Sequence, residues 1–571
     1  MGKQVAGFES RTCPVTRYVV DLASERLIIV NAVSAIVFLL IGGIIALLLA
    51  LTRWQAIHLL PSVWYYRLVT AHGISMLVAW IVFFEVAGLY FGSTVMLNAR
   101  HVSPGLGWVA WVLMAVGGLM AAFAVLLGPL VGLEPSDVMF TAYVPLKAHP
   151  LFYLGVVLFA VGALIAVGLF FANLVVARRE RRYEGSLPLV VYGLLTAAII
   201  ATYTLLQGAI AFVPALLWSL NLLPSYDPAV YRNFFWGFGH PAQQINLAAM
   251  VAVWYALASI TTGAAPLNEK LSRLAFILYL FFINLGSAHH LLVDPGPGFV
   301  WKVFNTSYGM YLAVLGSLIH AFSIPAALEV ALRKKGFNRG LFEWLRKGPW
   351  REPGFAALVI SMFIFGWIGG VTGVTMGTEQ INMIQHNTLR VPGHFHATVV
   401  SGTTIAFMGL TYYLIPLIFR RELKFKNLAT WQPYIYGAGM VLVSLGMITA
   451  GIQGVPRRHW DIGFALAGGP SVFPGTVNLS LAVLGLGAII AVTGGAMFMI
   501  VVLSSVLFGT KREASSLMLV ATDREPTLIA AVEDDHPAPR GAFALVIIFL
   551  IYFVTFYLAN WWLLGRAWGV G

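Results

Sequence analysis

Charge and cysteine are what this sequence lacks. Only 10% of its 571 residues are Asp, Glu, Lys or Arg, while 59% are hydrophobic. A soluble domain carries roughly 25% charged residues. The composition therefore excludes a soluble fold and predicts an all-α, polytopic membrane helix bundle. The one cysteine, Cys13, lies in the polar N-terminal tail. It excludes an internal disulfide, and any two-cysteine metal site built from this chain alone. No cleavable signal peptide is evident, because the first apolar run is too long for a signal h-region. There is no low-complexity tract and no obvious short-period repeat. The net charge of +12 does not point to nucleic acid, because the charges fall in loops between apolar runs. Orientation in a membrane produces that distribution.

Long apolar stretches are what the chain has instead. A spanning helix needs about 20 mostly apolar residues. Thirteen runs qualify: 28–51, 68–97, 106–133, 149–177, 187–223, 229–262, 271–292, 304–332, 354–377, 389–419, 430–453, 476–510 and 541–565. Barrel strands would be shorter and would alternate. The expectation is about 13 transmembrane helices in a single domain over 1–571. With the N-terminus inside, the inside loops hold most of the 35 Lys and Arg, including Arg178, Arg179, Arg181, Arg182, Arg333–Lys335 and Arg420–Arg421. That imbalance predicts a cytoplasmic N-terminus and an outside C-terminus. The one long charged connection, 511–540, is assigned no chemistry.

Six histidines interrupt this apolar mass: His72, His240, His289, His290, His394 and His396. Each lies within about three turns of the end of a run, and the topology puts all of those ends on the outer face. An ionisable group inside a bilayer is expensive and is a functional hypothesis by default. Histidine is also the commonest metal ligand.

Their spacing divides them. In Val391-Pro-Gly-His-Phe-His396 the two imidazoles are i and i+2 on a helix, about 200° apart. They suit two sites flanking one helix better than one shared metal, and His72 could complete one of those sites. The competing reading is a pair of core histidines bonded to carbonyls. Gly239-His-Pro241 and Ala288-His-His290 form a second set. Three neutral imidazoles from two helices can hold copper or a similar first-row metal and leave a position open; iron is not excluded. Adjacent histidines diverge by about 100° on a regular helix. Ahead of Asp294-Pro-Gly-Pro-Gly298 the backbone can relax and let both converge.

One histidine on span 2, His-Pro on span 6, His-His on span 7 and His-x-His on span 10 together resemble subunit I of the haem–copper oxidoreductases. The resemblance runs over most of the chain and is closest to the B-type oxygen reductases. Tyr143-Val-Pro-Leu-Lys-Ala-His-Pro150, Asp227 through Trp236, His386-Asn-Thr388 and Pro456-Arg-Arg-His-Trp-Asp461 support it. The resemblance implies His72 and His396 as axial ligands of a low-spin haem, b type. It implies His394 as proximal ligand of a high-spin haem, a or b type, and His240, His289 and His290 as ligands of a facing copper. Arg457 and Arg458 would neutralise haem propionates; the competing reading is ordinary interfacial arginines. His386 and Trp236 join the cofactor-binding set.

One departure bears on the reaction. Oxygen reductases of this type carry a tyrosine four residues after the span-6 histidine, and another branch carries it six residues before the His-His pair. Here those positions hold Gln244 and Ile283. Fast O₂ cleavage needs four electrons at one site, the last from that tyrosine; coupling two NO molecules needs only two. The resemblance thus implies a nitric oxide reductase offshoot with Gln244 in the catalytic set. The alternative is a terminal oxygen reductase of the cytochrome c oxidase type. A haem-free, proton-coupled transporter is a third reading, disfavoured because no inverted repeat is visible.

Tyr255, Ser317, His320 and Ser323 resemble the inner-face proton channel of the B-type enzymes; the competing reading is hydroxyls bonded to their own helix carbonyls. No copper-binding cysteine pair or haem-attachment motif is present for electron entry. A second redox subunit, of the cytochrome c or copper-domain type, is therefore expected. The expected location is a bacterial or archaeal cytoplasmic membrane.

Overall fold

The apolar runs become long helices. The computed structural model describes residues 8–133, 144–284, 286–462, 473–511 and 537–569. Among these, twelve helices are long and apolar enough to cross a membrane. In chain order they are α1 (Leu22–Arg53), α2 (Ser62–Val95), α3 (Pro104–Leu126), α4 (Pro150–Arg179), α5 (Leu189–Ser219) and α6 (Pro228–Thr262), followed by α8 (Phe299–Lys334), α9 (Pro353–Gly377), α10 (Arg390–Phe419), α11 (Lys426–Ile452), α12 (Thr476–Phe508) and α13 (Arg540–Ala567). The seventh expected run is α7 (Glu269–Leu278), extended by a π-helical turn over Tyr279–Ile283 and a 3₁₀ turn over Gly286–Leu291. It is too interrupted to count as one long helix. The Asn284 side chain donates to the carbonyls of Tyr279 and Leu280 at 2.7 and 3.0 Å, and so competes for backbone acceptors where the regular helix ends. Tyr143 and most of the 511–540 connection lie outside the described residues.

The chain forms two compact units. The first holds α1 to α4, residues Ala197–Ser219 of α5 and Pro228–Asn246 of α6. Its tightest packing is between α3 and α4. A Cβ at Gly117 would lie 2.5 Å from the Gly155 carbonyl oxygen, and one at Gly155 would lie 2.7 Å from the Gly117 carbonyl oxygen. Lipid offers no hydrophobic drive for helix association, so small residues that let backbones touch supply the contact. A small hairpin pairs β1 (Ser10–Thr12) with β2 (Val19–Asp21). The second unit holds the rest of α5 and α6 and all of α7 to α13, together with Cys13–Arg17.

Two histidines sit where the helices change pitch. His72 is followed by a π-helical stretch over Ile74–Trp80, and His396 opens another over His396–Thr403. Such π turns recur at functional sites because they re-aim side chains within a helix.

Candidate metal and haem centre

His240 stands twelve residues into α6, is 7% exposed, and precedes Pro241 inside the continuous helix. One turn earlier, Trp236 is buried, and its ring carbons lie 3.3 Å from where a Cβ at Gly239 would be. One turn later, the Gln244 amide nitrogen is 3.5 Å from His240 Nε2. Gln244 therefore shares the helix face of His240. His289 and His290 ride the 3₁₀ turn, and their rings converge to a centroid separation of 4.3 Å. Regular helix geometry would splay them; the tightened turn does not. His240 belongs to the first unit, and His289 and His290 to the second. Three imidazoles are a donor set that fits a first-row metal with an open position.

The other three histidines share one hydrogen-bonding device. Nδ1 of His72 lies 3.1 Å from the Gly42 carbonyl, Nδ1 of His394 lies 2.8 Å from the Gly369 carbonyl, and Nδ1 of His396 lies 2.6 Å from the Pro392 carbonyl. A carbonyl only accepts, so the ring donates Nδ1–H at each of these contacts, which in a neutral imidazole leaves the lone pair on Nε2. That is how ligating imidazoles are held to one tautomer and orientation. His394 is fixed further by Thr372 Oγ1 at 3.2 Å. It also packs where α9 has no side chain, since a Cβ at Gly373 would lie 2.7 Å from His394 Cε1. His394 thus turns toward α9, while His396 bonds back along its own helix. The two rings are therefore held by different helices' carbonyls.

Two of the motifs lie side by side. Thr388 bridges Pro456 in antiparallel fashion, Arg457 N donates to the Asn387 carbonyl at 2.7 Å, and Leu389 N donates to the Val455 carbonyl at 2.7 Å. The His386–Thr388 turn and the Arg457–Arg458 turn are therefore one structure just ahead of α10, six to eight residues before His394.

Of the proposed proton-route residues, Tyr255 and His320 meet directly, while Ser317 pairs with Tyr279. Tyr255 OH donates to Ser272 Oγ at 2.9 Å and lies 3.0 Å from His320 Nδ1. Tyr279 OH lies 3.2 Å from Ser317 Oγ. Ser323, the fourth proposed residue, is buried on α8. The His320 ring is fully buried, with ring centroids of Phe276 at 4.5 Å and Tyr279 at 5.5 Å. The spacing on α8 alone missed Ser272 and Tyr279. Ser272 is four residues after Asn268, an N-cap whose side chain accepts from Leu271 N, and reads as a plain first-turn helix residue.

The chain matches the model of the family described as "Cytochrome C and Quinol oxidase polypeptide I" over residues 26–481. It belongs to that family. It is 32% identical over 415 residues to cytochrome c oxidase subunit 1 of Thermus thermophilus, covering 71% of this chain and 70% of that protein. It is 26% identical to cytochrome c oxidase polypeptide 1 of Halobacterium salinarum over 70% of this chain and 65% of the relative. It is 21% identical to quinol oxidase subunit 1 of Bacillus subtilis over 78% and 68% of the two chains. A solved heme–copper terminal oxidase superposes with a TM-score of 0.79 at 26% identity, covering 95% of this chain and 92% of that one. This protein is a multi-pass subunit I of the haem–copper oxidoreductases. Its family works with haems, copper and further redox subunits, and His240, His289 and His290 are donors of the type that suits the metal.

Proposed function

We propose that this subunit reduces nitric oxide: two NO, two electrons and two protons give N₂O and water. The observation that carries the reading is Gln244. It stands where the oxygen reductases resembled here place a redox tyrosine, and its amide nitrogen is 3.5 Å from His240 Nε2. An amide cannot give up an electron, but it can donate a hydrogen bond to a substrate oxygen. Bound haem iron and copper would supply one electron each. Gln244 would hold the substrate at the metal site, and the Tyr255–His320 chain would deliver protons. His72 and His396 would hold the low-spin haem that passes electrons on, and His394 the high-spin haem. Arg457, Arg458, His386 and Trp236 would line the cofactors. The whole chain would act as one domain in a bacterial or archaeal cytoplasmic membrane, N-terminus inside, beside a subunit that brings electrons.

Oxygen reduction is the second reading, favoured by the oxidase names of the relatives. Purified enzyme with a chemical electron donor separates the two. The expected outcome is N₂O formation under NO faster than oxygen consumption under air. High oxygen turnover with negligible N₂O would sink the NO reading and leave the family standing.

A further inference from the structure

Arg390 opens α10 and is fully buried. Its Nη2 donates to Thr375 Oγ1 at 2.8 Å, but Nε and Nη1 have no hydrogen-bond partner among the described residues. No Asp or Glu among those residues pairs with it. A guanidinium cannot shed its proton and offers five donors. A buried charge is tolerated when it is paired and hydrogen-bonded. Arg390 therefore calls for an anion that the described residues do not provide.

The segment just before Arg390 carries further buried polar groups. Among the described residues, Gln385 is 1% exposed with neither amide atom bonded, and Asn382 is 7% exposed with Oδ1 unbonded. The Asn382 amide nitrogen donates to the carbonyls of Met376 at 2.9 Å and His289 at 3.3 Å. Arg390 is held in this segment by its backbone. A Cβ at Gly451 would lie 2.0 Å from Arg390 N, so α11 presses directly on it. It stands one helical turn before His394. Its neighbour Leu389 is bonded to Val455, beside Arg457 and Arg458.

We propose that Arg390 binds a carboxylate, and that the carboxylate belongs to the haem ligated by His394. Haem is the group implied at this site that carries carboxylates, and guanidinium–carboxylate hydrogen bonds are among the strong ones. The proposal rests on His394 as the high-spin haem ligand. Arg390 would be a positioning residue and a local positive charge. A cation beside the haem favours the form with one more electron, so it raises the midpoint potential.

The test uses purified wild type, Arg390→Met and Arg390→Lys, with haem carboxylates labelled with carbon-13. Spectroelectrochemical titration gives the high-spin potential, and redox infrared difference spectra give the labelled carboxylate bands. In Arg390→Met both haems remain, the potential falls and the labelled bands shift. In Arg390→Lys the bands shift while most of the potential is kept. If Arg390→Met does not fold, the band shift in Arg390→Lys alone decides. Unchanged labelled bands overturn the proposal. So does a wild-type potential that follows added acetate while the label is silent, since the anion is then a free one. His394→Ala tests the underlying reading separately: if the high-spin haem survives it unaltered, the ligand assignment fails, whatever Arg390 does.

Discussion

Replacing Gly373 by alanine should drive the His394 imidazole from its position while leaving α9 helical. The added Cβ would lie 2.7 Å from His394 Cε1. Carbon atoms rest at about 3.5–4.0 Å, so the ring must retreat by roughly 1 Å. It is poorly free to do so, because Nδ1 lies 2.8 Å from the Gly369 carbonyl and 3.2 Å from Thr372 Oγ1. Overpacking of this kind costs about 1–3 kcal/mol, and a broken hydrogen bond adds about 0.5–1.5 kcal/mol. Alanine returns about 0.5–1 kcal/mol of helix preference. The net is a destabilisation of about 1–3 kcal/mol, concentrated on one ligand. The assay is the iron–histidine stretch of the reduced high-spin haem by resonance Raman, with thermal inactivation measured alongside. The expected result is a shifted or weakened stretch and earlier inactivation. Gly43→Ala is the control, since a Cβ there meets nothing within 4 Å; it should leave the stretch unchanged. A Gly373→Ala enzyme with a wild-type stretch and wild-type inactivation would refute the assignment of His394 as ligand in this geometry.

Other expectations concern the remaining centres. Tyr255→Phe removes the hydroxyl shared by Ser272 and His320 and leaves buried polar atoms short of partners, at about 1–3 kcal/mol; turnover should drop tenfold or more with unchanged haem spectra, and wild-type turnover would exclude this chain as the proton route. Alanine at His240, His289 or His290 should lower bound metal and abolish turnover while both haems remain; metal analysis showing full occupancy in all three variants would defeat that site. His72→Ala or His396→Ala should remove the six-coordinate low-spin signal from the visible and EPR spectra and spare the copper; an intact signal in both would reassign the ligands. Gln244→Tyr should not by itself create a fast oxygen reductase, because the bond to His240 must also form; oxygen-electrode rates matching those of an oxidase would contradict the two-electron account.

Some of this protein is legible in the chain alone, for physical reasons. A bilayer demands about 20 apolar residues per crossing, so the runs announce their helices with little help from packing. Polar groups in such runs are costly, so six histidines stand out, and the His-x-His spacing sets two directions by helix geometry alone. The absence of tyrosine at positions 244 and 283 is likewise a fact of sequence.

Tertiary structure decided the rest, because it depends on contacts between residues far apart in the chain. Apolar content could not show that 271–292 breaks into an α-helix, a π turn and a 3₁₀ turn, nor that the 3₁₀ turn brings His289 and His290 together. Ser272 and Tyr279 joined the buried chain only when α7 met α6 and α8. Gly373 became informative only with the His394 ring against it. Arg390 reads in sequence as one more arginine at a helix end. Its charge acquires meaning from burial without a counter-charge among the described residues, which no local pattern encodes.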